Sequence, residues 1–170
     1  MSSSSDQMKT SAKLPALDDS LAKILLRVQE QLDVSKPHKA FDILKAKECS
    51  NIPQCKNARG VCWMRMGELD DALRVFRDLC LASGGLMMRE DVPTTFKTNL
   101  ATTLALRGNV VGCLATLAET KDEGAPTVVK LRAAIDDWKR SLSAWQRFMF
   151  RLGVEPKAKI QFPFAPGDLL

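Results

Sequence analysis

Tyrosine is absent from this chain of 170 residues, histidine occurs once, and aromatic residues make up only 6% of it. Sheet-rich folds draw on aromatic and β-branched residues. Here Leu and Ala are abundant instead, so the class expected is all-α. The single histidine, His38, would have to carry any Cys–His or Ser–His–Asp centre alone. Its place beside Pro37 at a helix start marks it as a surface or capping residue. Neither a G-x-x-x-x-G-K-[ST] nor a G-x-G-x-x-G loop is present, which leaves nucleotide binding through either without support. Asp70 with Asp71 and Asp136 with Asp137 are sequence neighbours that point to different azimuths of a helix and do not converge. No catalytic residue, cofactor or metal is assigned, and the chain is not expected to be an enzyme.

Long apolar runs are also missing. No stretch approaches the ~18 apolar residues of a membrane helix, and MSSSSDQMKT lacks the apolar centre of a secretory signal. The five cysteines, at 49, 55, 62, 80 and 113, form no C-x-x-C pair, and spacings of five and six intervening residues fit no common zinc pattern. Cys113 fits as a small residue between packed helices, Cys62 adjoins a core position, and oxidation sensitivity stays open for the others. A reduced, cytoplasmic protein without membrane contact is the expectation.

What is present suits one helical domain. The apolar fraction of 45% and charged fraction of 26% are ordinary for a globular chain. Residues 1–16 are serine-rich and polar, and are expected to form a disordered tail. From Leu17 to Val34, the residues Leu21, Ile24, Leu25, Val28 and Leu32 recur at spacings of three and four, a helix with one apolar face. Ser35 and Pro37 interrupt it, and Ala40, Phe41, Ile43 and Leu44 lie on a second helix that fades near Cys49 before Pro53 breaks the chain again.

The sharpest pattern is Asn57 to Leu79, two amphipathic helices broken at Gly67. Gly60 stands three positions before Trp63, and Ala72 stands four before Phe76. Small residues let backbones approach, bulky ones fill the remaining space, and a glycine just past a helix end adopts a left-handed conformation at little cost. Ala40 precedes Ala72 by 32 residues, near the ~34-residue period of helical-hairpin repeats. Ala101, Leu104, Gly108, Cys113 and Leu117 repeat the pattern a third time, with Cys113 lying 41 residues after Ala72. The excess falls in the loop between Gly84 and Pro93, whose Leu86, Met87 and Met88 either pack on the body or form a sticky contact, packing being favoured.

Gly60, Trp63, Gly67, Leu69, Ala72 and Phe76 together resemble the tetratricopeptide (TPR) repeat. The resemblance implies a TPR-like right-handed α-solenoid of about three helix-turn-helix units over residues 17–152, whose first helices line a concave, peptide-binding face. The lining it implies is Asn57, Val61, Met64 and Arg65 from the second unit and Thr95, Thr98, Asn99 and Thr102 from the third, with Leu25 and Gln29 from the first. Such a groove is mainly neutral and hydrogen-bonding, suited to peptide backbones. The basic clamp by which TPR co-chaperones hold a terminal carboxylate is missing.

Val128, Leu131, Ile135, Trp138, Leu142, Trp145, Met149 and Leu152 recur at three and four residues, which predicts one long helix, about Thr127 to Leu152, capping the array. Residues 153–170 should be extended, since prolines recur at 156, 163 and 166. Ile160, Phe162 and Phe164 alternate there, as in a segment laid along a groove or back on the body. The function expected is a protein- or peptide-binding adaptor. The alternative is a homo-oligomer built through Trp138, Trp145 and Phe148. Nucleic-acid binding through the basic stretch Lys139 to Lys159 is disfavoured, since aromatic and basic residues do not interleave on a known nucleic-acid fold.

Overall fold

A computed structural model describes residues 19–46, 49, 51–82, 85 and 87–169. The expected tail over 1–16, together with Leu86, lies outside them. Among the described residues the regular elements are all helical, in the order α1 (Asp19–Asp33), α2 (Pro37–Ile43), α3 (Pro53–Met66), α4 (Leu69–Cys80), α5 (Thr94–Leu106), α6 (Val110–Ala118), α7 (Pro126–Ser141) and α8 (Ala144–Arg151).

Three helix pairs, α1–α2, α3–α4 and α5–α6, close on turns of one design. Ser35, Gly67 and Gly108 hold positive φ of 55°, 86° and 86°. At each, the following amide reaches back six residues' span to a helix carbonyl: Lys36 to Gln31 at 2.8 Å, Glu68 to Trp63 and Asn109 to Leu104 at 2.9 Å. These bonds satisfy carbonyls that a helix end would leave unpaired. Only the first turn uses a side-chain-bearing residue in the left-handed region, at a cost of about 1 kcal/mol.

Consecutive helices pack on one another from α1 through α6, and α7 lies against α5. The spacing of α3 from α4 is set by Gly60 and Phe76: a Cβ on Gly60 would sit 2.5 Å from the Phe76 ring. The ring fills the volume the glycine vacates and is fully buried. Trp63 packs against Phe41, with ring centroids 5.1 Å apart and planes tilted by 48°, and ties the second pair to the first. Two apolar clusters result. One gathers α1 to α5; the other gathers α5, α6 and α7 with Leu142. All five cysteines are free and buried. Burial pushes the thiols of Cys55, Cys62, Cys80 and Cys113 up to about 12, which keeps them protonated, and poor nucleophiles, at neutral pH.

After α4, Leu81 makes an isolated antiparallel bridge to Met88. Met88 turns inward against the first cluster, while Met87 remains 74% exposed. The apolar character of this loop is thus only partly absorbed by packing.

The long terminal helix is corrected to two. After Ser141 the chain becomes extended at Leu142 (ψ 143°), and Ser143 opens α8 with a capping box: its hydroxyl accepts from the Gln146 amide while the Gln146 side chain accepts from the Ser143 amide. This reciprocal cap outcompetes helix continuation. The break leaves Trp138 buried in the second cluster and swings Trp145 and Phe148 outward, 68% and 52% exposed.

Phe76→Ala is expected to lower unfolding free energy by about 3–5 kcal/mol, and Gly60→Ala by about 1–3 kcal/mol through overpacking. Urea denaturation monitored by circular dichroism measures both. A neutral Gly60→Ala would remove the role given to this close approach.

Candidate functional site

The face formed by α3 and α5 is occupied by the chain's own C-terminal segment. From α8 the segment is pinned at intervals. Glu155 accepts from the Val111 amide at the start of α6 (2.8 Å), the Trp138 indole donates to the Ala158 carbonyl (3.0 Å), and Ile160 enters the second cluster. It then crosses to α3 and α5, where Leu169 joins the first cluster.

Between these anchors the backbone is held by side chains. The Asn99 amide meets Asp168 at two points, donating to its carbonyl (2.7 Å) and accepting from its N–H (3.0 Å). Asn57 donates to the carbonyls of Asp168 (3.2 Å) and Leu169 (3.0 Å). The two asparagines are joined by a bond of 2.8 Å from Asn99 Nδ2 to Asn57 Oδ1, and both are essentially without solvent exposure. This arrangement fixes which way each amide points, since every oxygen faces a donor and every nitrogen faces acceptors.

Arg65 extends the pattern. Its Nε donates to the Pro166 carbonyl (3.0 Å), Nη2 to Gly167 (3.1 Å) and Nη1 to Leu32 at the end of α1 (3.1 Å). A planar fork can serve three carbonyls at once where an ammonium could not. Burial lowers the Arg65 pKa from its ordinary value, and Asp168 and Asp33 oppose that shift; an arginine stays charged throughout.

Three side-chain positions are read individually. Gly167 has φ +84°, and a Cβ there would stand 3.0 Å from both Val61 methyls and 3.1 Å from the Met64 methyl. Lys130 of α7 pairs with Asp168 (3.0 Å to Oδ2, 3.2 Å to Oδ1) and lies 4.7 Å over the Phe164 ring. Leu169, 5% exposed, fills an apolar recess.

Of the residues the sequence assigns to a groove, Asn57, Val61, Met64, Arg65 and Asn99 converge on this segment. The threonines do not. Thr98 and Thr102 turn their hydroxyls back to the carbonyls of Thr94 (2.9 Å) and Thr98 (2.8 Å) on their own helix, and half-buried Thr95 takes no part in these bonds. Leu25 is core, and Gln29 bonds Asp33 within α1. To the expected lining α7, folded beside α5, adds Lys130 on the face already carrying Arg65. Sequence pattern missed Lys130 since nothing local distinguishes it from any exposed lysine. In the basic stretch, Lys139 and Arg140 pair with Asp136 and Asp137 of their own helix.

No protein-family model, curated protein or solved structure matches the chain. Among the described residues no helix is long and apolar enough to cross a membrane.

Asn99→Ala leaves the Asp168 N–H and one donor to its carbonyl unreplaced, and is expected to destabilise the fold by about 1–3 kcal/mol. Hydrogen exchange at the Asp168 amide should accelerate more than at α6 or α8 amides. Equal acceleration everywhere would argue against a local role.

Proposed function

We infer that the chain is a TPR-like, right-handed helical array that binds an extended segment of another protein, as an adaptor or scaffold. The observation that carries this reading is the grip of Asn57, Asn99 and Arg65 on consecutive peptide groups from Pro166 to Leu169. Backbone groups are common to every protein, so side chains arranged to bond them form a surface suited to extended peptides generally. The like-built turns at Ser35, Gly67 and Gly108 support the repeat reading, since they bring α3 and α5, first helices of successive pairs, to the same face. Five buried, unpaired thiols suit a reducing compartment, the cytoplasm in this reading.

The test is selection of displayed random peptides on the full chain carrying Gly167→Val, which clears its own segment from the face. A pool should enrich, and adding Asn57→Ala with Asn99→Ala should reduce its retention at least tenfold. Failure to enrich, or retention indifferent to the asparagines, overturns the reading.

A second reading, self-association, draws on a separate observation: Trp145 and Phe148 on α8 and Leu152 just after it are exposed, with 5.8 Å between the Trp145 and Phe148 rings. Trp138 is buried and does not belong to that surface. Light scattering over a concentration series should then report a dimer that Trp145→Ala with Phe148→Ala dissociates; a monomer at every concentration excludes it.

A further inference from the structure

The segment that fills the groove can be considered as a ligand, and its contacts divide into two kinds. Those to backbone atoms would serve any extended chain. Those to side chains would not: a φ of +84° and the close walls of Val61 and Met64 favour glycine at position 167, Lys130 favours an acid at 168, and the recess at 169 takes an aliphatic group. Pro166 precedes them, its fixed φ lowering the entropy lost when the segment is ordered.

The same segment fits incompletely. Beside the exposed Ala165 and half-buried Pro166 lies an open cleft of about 510 Å³, lined by Leu32, Asp33, Ser35, Pro37, Met64 and Arg65. A larger apolar side chain at that position would gain contact area there. A covalently tethered occupant is helped to hold its site by effective concentration, on the order of millimolar for a short flexible linker, so its own contacts need not be the best available. It is then replaceable by a free chain that fits better.

We propose that the groove recognises an extended partner segment of the pattern large apolar–Pro–Gly–acidic–aliphatic, and that residues 164–169 are its built-in competitor, which the partner displaces. This rests on the groove reading above and adds to it a ligand pattern and a closed resting state. Two features make displacement feasible. The bonds lost by Asn57, Asn99 and Arg65 are remade with the incoming backbone, so no buried polar group is left unpaired at the end of the exchange. The departing segment also carries its own charge partner, Asp168, whose place the partner's acid takes beside Lys130.

The test uses fluorescence anisotropy with a labelled peptide spanning residues 161–169, both ends blocked. Three full-length proteins are compared: native, Gly167→Val and Asp168→Lys. The two substitutions unseat the tail by different means, one steric and one electrostatic. Circular dichroism and cooperative melting report whether each remains folded. The peptide should bind the variants at least tenfold more tightly than it binds the native chain. Replacing its Gly167 by Val should weaken binding at least tenfold, and replacing its Ala165 by Leu should tighten it about threefold or more. On a chain carrying Lys130→Glu, a peptide with Lys in place of Asp168 should bind about fivefold more tightly than the original, the scale of one partly exposed ion pair.

Equal affinity for native and variant chains would refute the competitor. Indifference to the peptide's glycine and acid would refute the pattern. In both cases binding that still requires Asn57 and Asn99 leaves the groove reading intact, whereas absence of binding to any of the proteins overturns both. If both unseating variants fail to fold, the segment is a permanent part of the core and exchange is refuted.

Discussion

The hydrogen bond between Asn99 and Asn57 sets a condition that the surrounding architecture must meet. Two primary amides buried at zero to one per cent exposure bring four N–H donors into a dry interior, and each such group left unpaired costs about 1–3 kcal/mol. One donor is used by the bond itself. The others go to carbonyls of Asp168 and Leu169. None of these acceptors comes from α3 or α5; all belong to the segment after α8. The face therefore demands an extended backbone, or water in its place, and the segment after α8 meets the demand.

Everything upstream serves to bring those two amides within reach. Asn57 and Asn99 lie 42 residues apart on helices separated by α4, and α4 keeps them adjacent by packing on both. The close approach of Gly60 and Phe76 sets how tightly α3 rides on α4. A wider spacing there would move Asn57 away from its partner. The returning segment in turn joins the two apolar clusters, since Ile160 lies in one and Leu169 in the other, with α5 between them.

The parts of this arrangement that were legible in sequence are those governed by local periodicity. Apolar spacing and turn residues pointed to the helices and to the turns at Ser35, Gly67 and Gly108, while the grouping of Asn57, Val61, Met64, Arg65 and Asn99 on one face came from the resemblance to the TPR repeat. The break between α7 and α8 was legible too, in Ser143 and Gln146 at capping-box spacing, but the apolar seam running through it carried a stronger signal for continuity. Thr98 and Thr102 show the limit of inference from residue type: a helical threonine can bond its own backbone as readily as a ligand. Lys130 and Asp168 are 38 residues apart and meet only because α7 folds back on α5. Such a pairing is a property of tertiary path, and no local pattern encodes it.

Arg65 connects two events that would otherwise be independent. One arm of its guanidinium holds the last turn of α1 through Leu32, and the others hold the returning segment through Pro166 and Gly167. The α1–α2 pair is also the one whose turn places a non-glycine residue, Ser35, in the left-handed region. Occupancy of the groove and attachment of the first helix pair are consequently linked, and linkage is reciprocal. A seated C-terminal segment steadies α1, and α1 held in register favours a seated segment, so the first helix pair and residues 166–167 brace each other through one side chain.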